Sequence, residues 1–265
     1  MQKEIIKTRK ITFQRDGRKI LQEVDWQVSS GEHWVILGLN GSGKTSLLKI
    51  VTGYEWPAQG TVDVLGNRFG RTNLPELRKS IGWVSSAVDE QFLNRADDTA
   101  LEVVLSGKHA SIGIYEKVDN QDVLRAEQLL DEMQMADFAG HPFVKLSQGE
   151  KRRVIIARAL MPEPKILILD EPCNGLDIYA KEQLLTTVQK MAVQKGGPTL
   201  LYVTHQLEEV IPAVTHGLLI NQGRVVAAGE KAKTLTDSRL METFQVPLEV
   251  EWRESRPWLK IKSTL

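Results

Sequence analysis

The sequence has a single cysteine, Cys173, among its 265 residues. One thiol excludes an intrachain disulfide framework and favours a reducing compartment. No apolar run approaches the length of a transmembrane helix, about 20 residues. Residues 1–7 lack the apolar core of a secretory signal. We therefore expect a protein that is soluble, or that reaches a membrane only through a partner.

The sequence also has no excess charge of either sign. Its 34 basic and 34 acidic residues balance to a formal net charge of zero. A protein that holds nucleic acid by bulk electrostatics needs a basic excess to neutralise the phosphates. We therefore expect no nucleic-acid partner.

A glycine-rich stretch carries the strongest chemical signal in the sequence. It reads Gly38-Leu39-Asn40-Gly41-Ser42-Gly43-Lys44-Thr45 and continues into Ser46. Its glycines allow a tight loop that turns N–H groups inward, and the helix that follows adds partial positive charge. Lys44 supplies a full charge for the β- and γ-phosphates, and the Thr45 hydroxyl can ligate Mg²⁺. The pattern predicts a nucleotide-binding phosphate loop.

The alternative interpretation of this segment is an ordinary glycine-rich turn before a helix that happens to carry a lysine. The surrounding sequence makes this alternative weaker. A chance match in a chain of this length arises on the order of once in a hundred. Residues 33–37 lead straight into the loop and read as a strand buried on both faces. A buried strand followed by such a loop favours the nucleotide-binding interpretation.

Hydrophobic periodicity predicts an α/β fold with parallel strands. Residues 3–28 read as antiparallel strands around a turn at Asp16-Gly17. Buried strands at 165–169 and 199–203, with a helix between them, imply a parallel sheet. The stretch from about 90 to 160 reads as an inserted helical subdomain. We expect one domain over 1–230 and a small hairpin-bearing extension over 231–265.

Polar residues follow two of the predicted parallel strands, at the edge where ligands of such sheets bind. Asp170 is expected to hold Mg²⁺ through water, and the adjacent Glu171 to polarise the water that attacks the γ-phosphate. A neutral His205 could donate a hydrogen bond to the same phosphate. The alternatives are carboxylates that merely close a strand and a histidine that is packed or solvated.

The segment Leu146-Ser147-Gln148-Gly149-Glu150 opens a further predicted helix. Ser147 and Glu150 have the spacing of a capping box. The serine hydroxyl, the Gly149 N–H and the helix terminus could instead form a second anion site. The spacing leaves both interpretations open. The basic run Lys151-Arg152-Arg153 reads as a solvated helix face.

Taken together, these segments resemble the ATP-binding cassette (ABC) ATPases over residues 5 to about 230. The resemblance implies a P-loop NTPase sheet with an N-terminal antiparallel β subdomain and an inserted helical subdomain. It also implies ATP and Mg²⁺ as cofactors, and two copies that close head to tail. ATP would lie between the phosphate loop of one copy and residues 147–150 of the other.

The resemblance also assigns roles to two further residues. Phe13 matches the aromatic residue that stacks on adenine, with an ordinary strand core residue as the alternative. Asp177, in Asn174-Gly175-Leu176-Asp177, matches the loop that links the two sites of the dimer.

The sequence departs from the family pattern at a few positions. Gln148 and Glu150 replace the usual glycine and glutamine of the signature segment. Ser86 stands where the family usually has a glutamine that approaches Mg²⁺, with Gln91 nearby. These departures bear on metal coordination and on coupling to a membrane subunit.

We interpret the sequence as the ATP-hydrolysing subunit of an ABC transporter, most similar to importers of the metal-chelate or oxyanion type. Its permease would be a separate polypeptide, docked by the helical region over 90–145. The protein would then be cytoplasmic and peripheral on the inner face of the cell membrane. The alternative is a soluble ABC-type switch, gated by nucleotide and without a permease.

Overall fold

The computed structural model describes residues 3–85, 97–109 and 118–262. Its strands are β1 Glu4–Arg15, β2 Arg18–Ser29, β3 Trp34–Leu37, β4 Gln59–Val64, β5 Asn67–Arg68, β6 Ile81–Val84, β7 Ile166–Asp170, β8 Thr199–Thr204, β9 His216–Asn221, β10 Arg224–Glu230, β11 Leu248–Arg253 and β12 Arg256–Ile261. Its α-helices are α1 Lys44–Val51, α2 Leu74–Arg78, α3 Ala100–Ser106, α4 Asn120–Glu132, α5 Gln148–Leu160, α6 Ile178–Ala192, α7 Lys231–Thr234 and α8 Asp237–Phe244. The chain divides into a first unit, Met1–Arg78 with Thr199–Leu265, and a second unit, Lys79–Pro198.

The first unit contains the predicted antiparallel sheet, in the strand order β2-β1-β4-β5. The turn between β1 and β2 is made by Asp16 and Gly17, whose φ angles are 49° and 77°. Two consecutive residues with positive φ match the right-handed twist of the paired strands, which explains why Asp-Gly favours this hairpin. The apolar side chains of β2 alternate with polar ones and are buried (Val24, Trp26 and Val28).

The parallel strands of the first unit lie around β3, whose four residues are all buried. β3 pairs in parallel with β8 on one side and with β9 on the other, and β10 continues the sheet as the antiparallel partner of β9. Leu37, the last residue of β3, is the register partner of both Thr204 and Leu219. The chain segments that follow β3 and β8 therefore leave the sheet at the same edge.

The C-terminal part of the first unit contains the predicted hairpin. β11 and β12 pair in antiparallel register from Leu248 with Ile261 to Arg253 with Arg256. An ion pair between Lys262 and Glu249 (2.8 Å) supports its open end. The preceding helices, α7 and α8, were not predicted, because they are short.

Within its described residues, the second unit contains the parallel pair β6–β7 and four α-helices. Three of them, α3 to α5, lie in the predicted helical region, and α4 begins at the predicted cap Asp119, whose carboxylate accepts a hydrogen bond from the Asp122 N–H. The mixed α/β architecture, with parallel strands and an antiparallel β subdomain, confirms the predicted fold class. No helix in the described ranges is both long and apolar enough to cross a bilayer.

One expectation about the second unit is wrong. The basic run predicted as a solvated face is buried, with exposed fractions of 9% for Lys151, 5% for Arg152 and 9% for Arg153. α5 is almost entirely buried, and its hydrophobic residues do not form a single stripe. The periodicity of the sequence therefore does not identify a solvent-facing side of this helix. Burial accordingly lowers the pKa of the Arg153 guanidinium, although the nearby Glu150 carboxylate and Tyr179 oppose this shift.

Candidate nucleotide site

The phosphate loop of the first unit joins β3 to α1, as predicted. Gly43 is the N-cap of α1, with φ of 108°, and no side chain among the described residues caps the helix. A Cβ built on Gly43 would lie 2.8 Å from Leu21 Cδ2 and 3.1 Å from the Ile20 carbonyl oxygen. Only glycine fits this position, because it tolerates both the left-handed backbone and the contact with β2. The uncapped N-terminus of α1 leaves its N–H groups for an anion.

Two side chains of the loop complete this concavity. Lys44 is buried, and its ammonium donates hydrogen bonds to the carbonyl oxygens of Gly38 (2.8 Å) and Leu39 (3.2 Å). The Ser42 hydroxyl is also buried and has no hydrogen-bond partner within the described part of the chain. A fixed ammonium and an unsatisfied buried hydroxyl fit an anionic oxygen ligand, because buried polar groups are otherwise paired. The Thr45 side chain next to them is exposed.

His205 lies at the same edge of the first unit as the phosphate loop. It follows Thr204, and Gly38 follows Leu37, which is the parallel register partner of Thr204. His205 is partly buried. The Thr204 hydroxyl accepts a hydrogen bond from the Gln206 N–H (3.0 Å), which fixes the turn that carries the histidine. The structure thus brings together these two sequence-predicted features.

Phe13 lies near the turn end of the β1–β2 ladder, opposite Leu21. It is only 6% exposed. The Arg15 guanidinium carbon lies 5.7 Å from the centre of its ring. A platform for a base needs an exposed ring face, so this geometry favours the strand core interpretation of Phe13. Its role with adenine stays a prediction.

In the second unit, Asp170 ends β7 and Glu171 follows it. Asp170 and Glu171 are both partly buried. The backbone of Glu171 is left-handed, with φ of 49°. Non-glycine residues in this region are strained and concentrate at functional sites. Two further predicted positions in this unit, Ser86 and Gln91, lie outside the described residues.

The signature segment forms the N-terminus of α5. The Ser147 N–H donates to Glu150 Oε2 (2.7 Å), and the Glu150 N–H donates to the Ser147 hydroxyl (3.4 Å). This is the capping box that the sequence predicts. Burial raises the pKa of the Glu150 carboxyl, but the hydrogen bonds from Ser147 and nearby positive charge outweigh burial and leave the pKa below its ordinary value.

The capping box does not exclude the second interpretation of this segment. The Ser147 hydroxyl accepts a hydrogen bond in the cap, and a hydroxyl has a proton to donate as well. Ser147 and Gln148 are exposed, and Gly149 is buried. The serine can therefore cap the helix and donate to a ligand oxygen at the same time.

Asp177 is the N-cap of α6, and its carboxylate accepts a hydrogen bond from the Ala180 N–H (2.8 Å). The two residues after it are apolar and exposed, Ile178 by 81% and Tyr179 by 73%. Two neighbouring apolar side chains are thus exposed directly after this predicted functional loop.

Comparison with known proteins identifies the family. A family model described as ABC transporter matches residues 21–174, more than half of the chain. The chain belongs to the ABC transporter family. It is 43% identical over 256 residues to the ABC transporter ATP-binding protein YlmA of Bacillus subtilis (strain 168), covering 96% of each chain.

Solved structures agree with this membership. An inward-facing ABC transporter described as of metal-chelate type superimposes with a TM-score of 0.79 at 25% identity, covering 98% of each chain. A dimeric post-hydrolysis ATP-binding cassette bound to ADP and Pi gives a TM-score of 0.70 at 26% identity, covering 85% of this chain and 98% of that chain. The chain is thus an ATP-binding ATPase cassette, as the sequence predicted.

The residues present fit Mg²⁺ by donor chemistry. Magnesium is held by a few oxygen ligands and keeps several waters, and a nucleotide supplies further phosphate oxygens. The Thr45 hydroxyl is exposed at the start of α1, and the Asp170 carboxylate ends a buried strand. Within the described ranges, no group of three or more His, Cys, Asp or Glu residues could hold a metal ion by itself.

Sequence reasoning missed some residues at these sites. It did not single out Arg15, which covers the Phe13 ring, or Ala180, which packs against Gly149. Neither residue carries a motif. The only available signal was their position in the chain: Arg15 lies two residues beyond Phe13, and Ala180 lies three residues beyond Asp177.

Proposed function

We propose that this ABC cassette binds ATP with Mg²⁺ between two head-to-tail copies and drives solute transport through a separate permease. The uncapped α1 terminus, the buried Lys44 ammonium and the unsatisfied Ser42 hydroxyl support the nucleotide site. These groups, and the N–H groups of Gly41 and Gly43, would hold the phosphates. The proposal depends most on one observation, the clustering of these groups around the phosphate loop.

The surface around the signature segment supports a dimer. Ser147 and Gln148 are exposed at the helix terminus, and Ile178 and Tyr179 expose most of their apolar area in the same unit. A second copy would bury these side chains while its phosphate loop presents ATP to Ser147. Asp177, which caps α6, would hold the linking loop in shape.

Thr45 and Asp170 are the proposed magnesium ligands, Asp170 through a water. When bound, Mg²⁺ would neutralise charge on the β- and γ-phosphates. The residues of the chain contribute the remaining chemistry: Lys44 would bind the phosphates, Glu171 would accept a proton from the attacking water, and His205 would donate a hydrogen bond to the γ-phosphate.

The permease and the location follow from the same proposal. Neither unit contains a described helix that could cross a bilayer. A similar solved structure is described as an inward-facing conformation of an ABC transporter of metal-chelate type. We therefore place the protein on the inner face of the cell membrane, and we propose a metal chelate or an oxyanion as the solute. Residues 90–145 would dock the permease, and residues 231–265 form a small extension of a domain over 1–230.

Copurification tests the transport role. The protein is isolated from membranes in mild detergent, with and without ATP, and its partners are identified by mass spectrometry. We expect a polytopic membrane protein in stoichiometric amount. Recovery of soluble partners alone would support the alternative, a soluble ABC-type switch gated by nucleotide. In that case the ATP site would stand and the permease would not.

A further inference from the structure

We propose that Arg15, not Phe13, is the platform on which the base of the bound nucleotide stacks. Phe13 is 6% exposed, whereas the Arg15 side chain is 47% exposed. The Arg15 guanidinium lies over the Phe13 ring, 5.7 Å from its centre. A base that approaches this part of β1 therefore meets the guanidinium before it meets the ring. This inference rests on the proposed nucleotide site.

Two contacts hold the Arg15 guanidinium in place. The Phe13 ring lies beneath the guanidinium carbon and attracts the cation through its π system. Glu55 forms an ion pair with the guanidinium. The Glu55 backbone is itself fixed, because its N–H donates to the Lys49 carbonyl oxygen (3.1 Å) just beyond α1. A planar group held between a ring and a carboxylate is preorganised for stacking.

The position of Arg15 along β1 fits a base whose phosphates lie in the loop. Leu21, the register partner of Phe13, is the side chain that approaches Gly43 of the phosphate loop. Arg15 is two residues further along β1, which is about 7 Å at the usual rise of a strand. A ribose separates the base from the phosphates, so a base contact belongs at such an offset from the loop, not beside it.

The chemistry of an arginine platform makes a distinct prediction about specificity. Guanidinium planes stack on nucleobases, and stacking tolerates any base because every base has a π face. The N–H groups of a stacked guanidinium lie in its own plane, parallel to the base, and Glu55 already accepts from the Arg15 guanidinium, so the platform reads no base edge. We expect ATP and GTP to bind with affinities within about threefold of each other.

Binding measurements on four variants test the inference. Arg15→Ala is expected to weaken ATP binding by about 5- to 100-fold, the range of one lost base stack. It should leave the affinity for inorganic triphosphate unchanged, because that ligand has no base. Arg15→Tyr should restore ATP binding. Arg18→Ala is the matched control, since Arg18 is the exposed register partner of Arg15, and it should change neither affinity. The fourth variant, Phe13→Leu, keeps an apolar core residue and should change ATP affinity less than Arg15→Ala does.

The inference is overturned if Arg15→Ala binds ATP as the wild type does, if it loses triphosphate affinity equally, or if Phe13→Leu loses at least as much ATP affinity. Wild-type protein that binds neither ATP nor triphosphate would instead contradict the proposed nucleotide site itself. Wild-type protein that binds triphosphate and ATP equally well contradicts only the base platform. The two failures are therefore distinguishable.

Discussion

A Cβ built on Gly149 would lie 3.0 Å from the Cβ of Ala180, so the first turn of α5 meets the first turn of α6 at this pair. The contact joins the helix that Ser147 caps to the helix that Asp177 caps. A change in the position of one helix terminus is therefore transmitted to the other. This is a physical basis for coupling the signature segment to the loop that precedes α6.

The pair can be tested by exchanging a methyl group across the contact. Gly149→Ala should push the two helix termini apart and lower ATP turnover. We expect about a tenfold decrease if the displacement weakens the proposed second anion site by about 1.4 kcal/mol. Gly149→Ala combined with Ala180→Gly keeps the number of methyl groups at the contact and should recover most of the turnover. Turnover that is low in the single variant and equally low in the double variant would show that the contact is not the cause.

The phosphate loop predicts a sharp difference between two glycine substitutions. Gly43→Ala places a Cβ against Leu21 in a left-handed backbone, and it should abolish ATP binding. Gly140→Ala is the control, because its Cβ would meet no atom of the described residues within 4 Å and its φ is not in the left-handed region. The measurement is equilibrium binding of a fluorescent ATP analogue. Equal binding by both variants would mean that the loop does not hold the phosphates.

Replacement of Glu171 tests the proposed base. Glu171→Gln should leave ATP binding intact, slow hydrolysis by about 10²–10⁴-fold, and accumulate an ATP-bound dimer detectable by size-exclusion chromatography. Glu163→Gln is a matched control, because Glu163 is an exposed glutamate of the same unit with a similar φ of 52°. It should hydrolyse ATP at the wild-type rate. Unchanged turnover in Glu171→Gln would remove Glu171 from this role.

The capping box predicts a pH dependence of stability. The pKa of the Glu150 carboxyl is lower in the folded protein than its ordinary value of 4.5. The unfolded chain therefore binds more protons between the two pKa values, so the contribution of Glu150 is complete above the ordinary pKa and is lost as pH falls through the folded pKa.

Denaturant unfolding at several pH values below neutrality measures this contribution. Glu150→Gln keeps an acceptor for the Ser147 N–H but does not titrate, so its stability should fall less than that of the wild type on acidification. At pH 7 the variant should be less stable than the wild type, by less than about 1 kcal/mol, because glutamine lacks the charge that the folded state favours. A variant that loses stability with acid as steeply as the wild type would exclude Glu150 as the titrating group.

Features with local causes could be predicted from the sequence. The Asp16-Gly17 turn, the phosphate loop and the caps Asp119 and Ser147 each depend on residues close together in the chain. Their dihedral preferences and short hydrogen bonds suffice to determine them. The buried strands β3, β7 and β8 were equally recognisable, because their apolar runs are continuous.

Features that depend on packing could not be predicted. Arg152 is charged, and charge alone favours solvent, yet the surroundings of α5 bury it. The burial of Phe13 depends on strands and side chains that are distant in sequence, and so does the exposure of Arg15 next to it. A motif match pointed to β1 but could not determine which of its side chains faces outward.

The left-handed backbone at Glu171 bears on how this ATPase could be engineered. Glycine adopts that conformation freely, so Glu171→Gly should release backbone strain. The free energy of unfolding should rise by about 1 kcal/mol, although the carboxylate is lost. Differential scanning calorimetry would reveal the gain, and an unchanged or lower melting temperature would argue against it. Directed evolution for heat resistance alone would then enrich inactive variants with glycine at position 171. Any such selection should therefore also screen for ATP turnover from its first round.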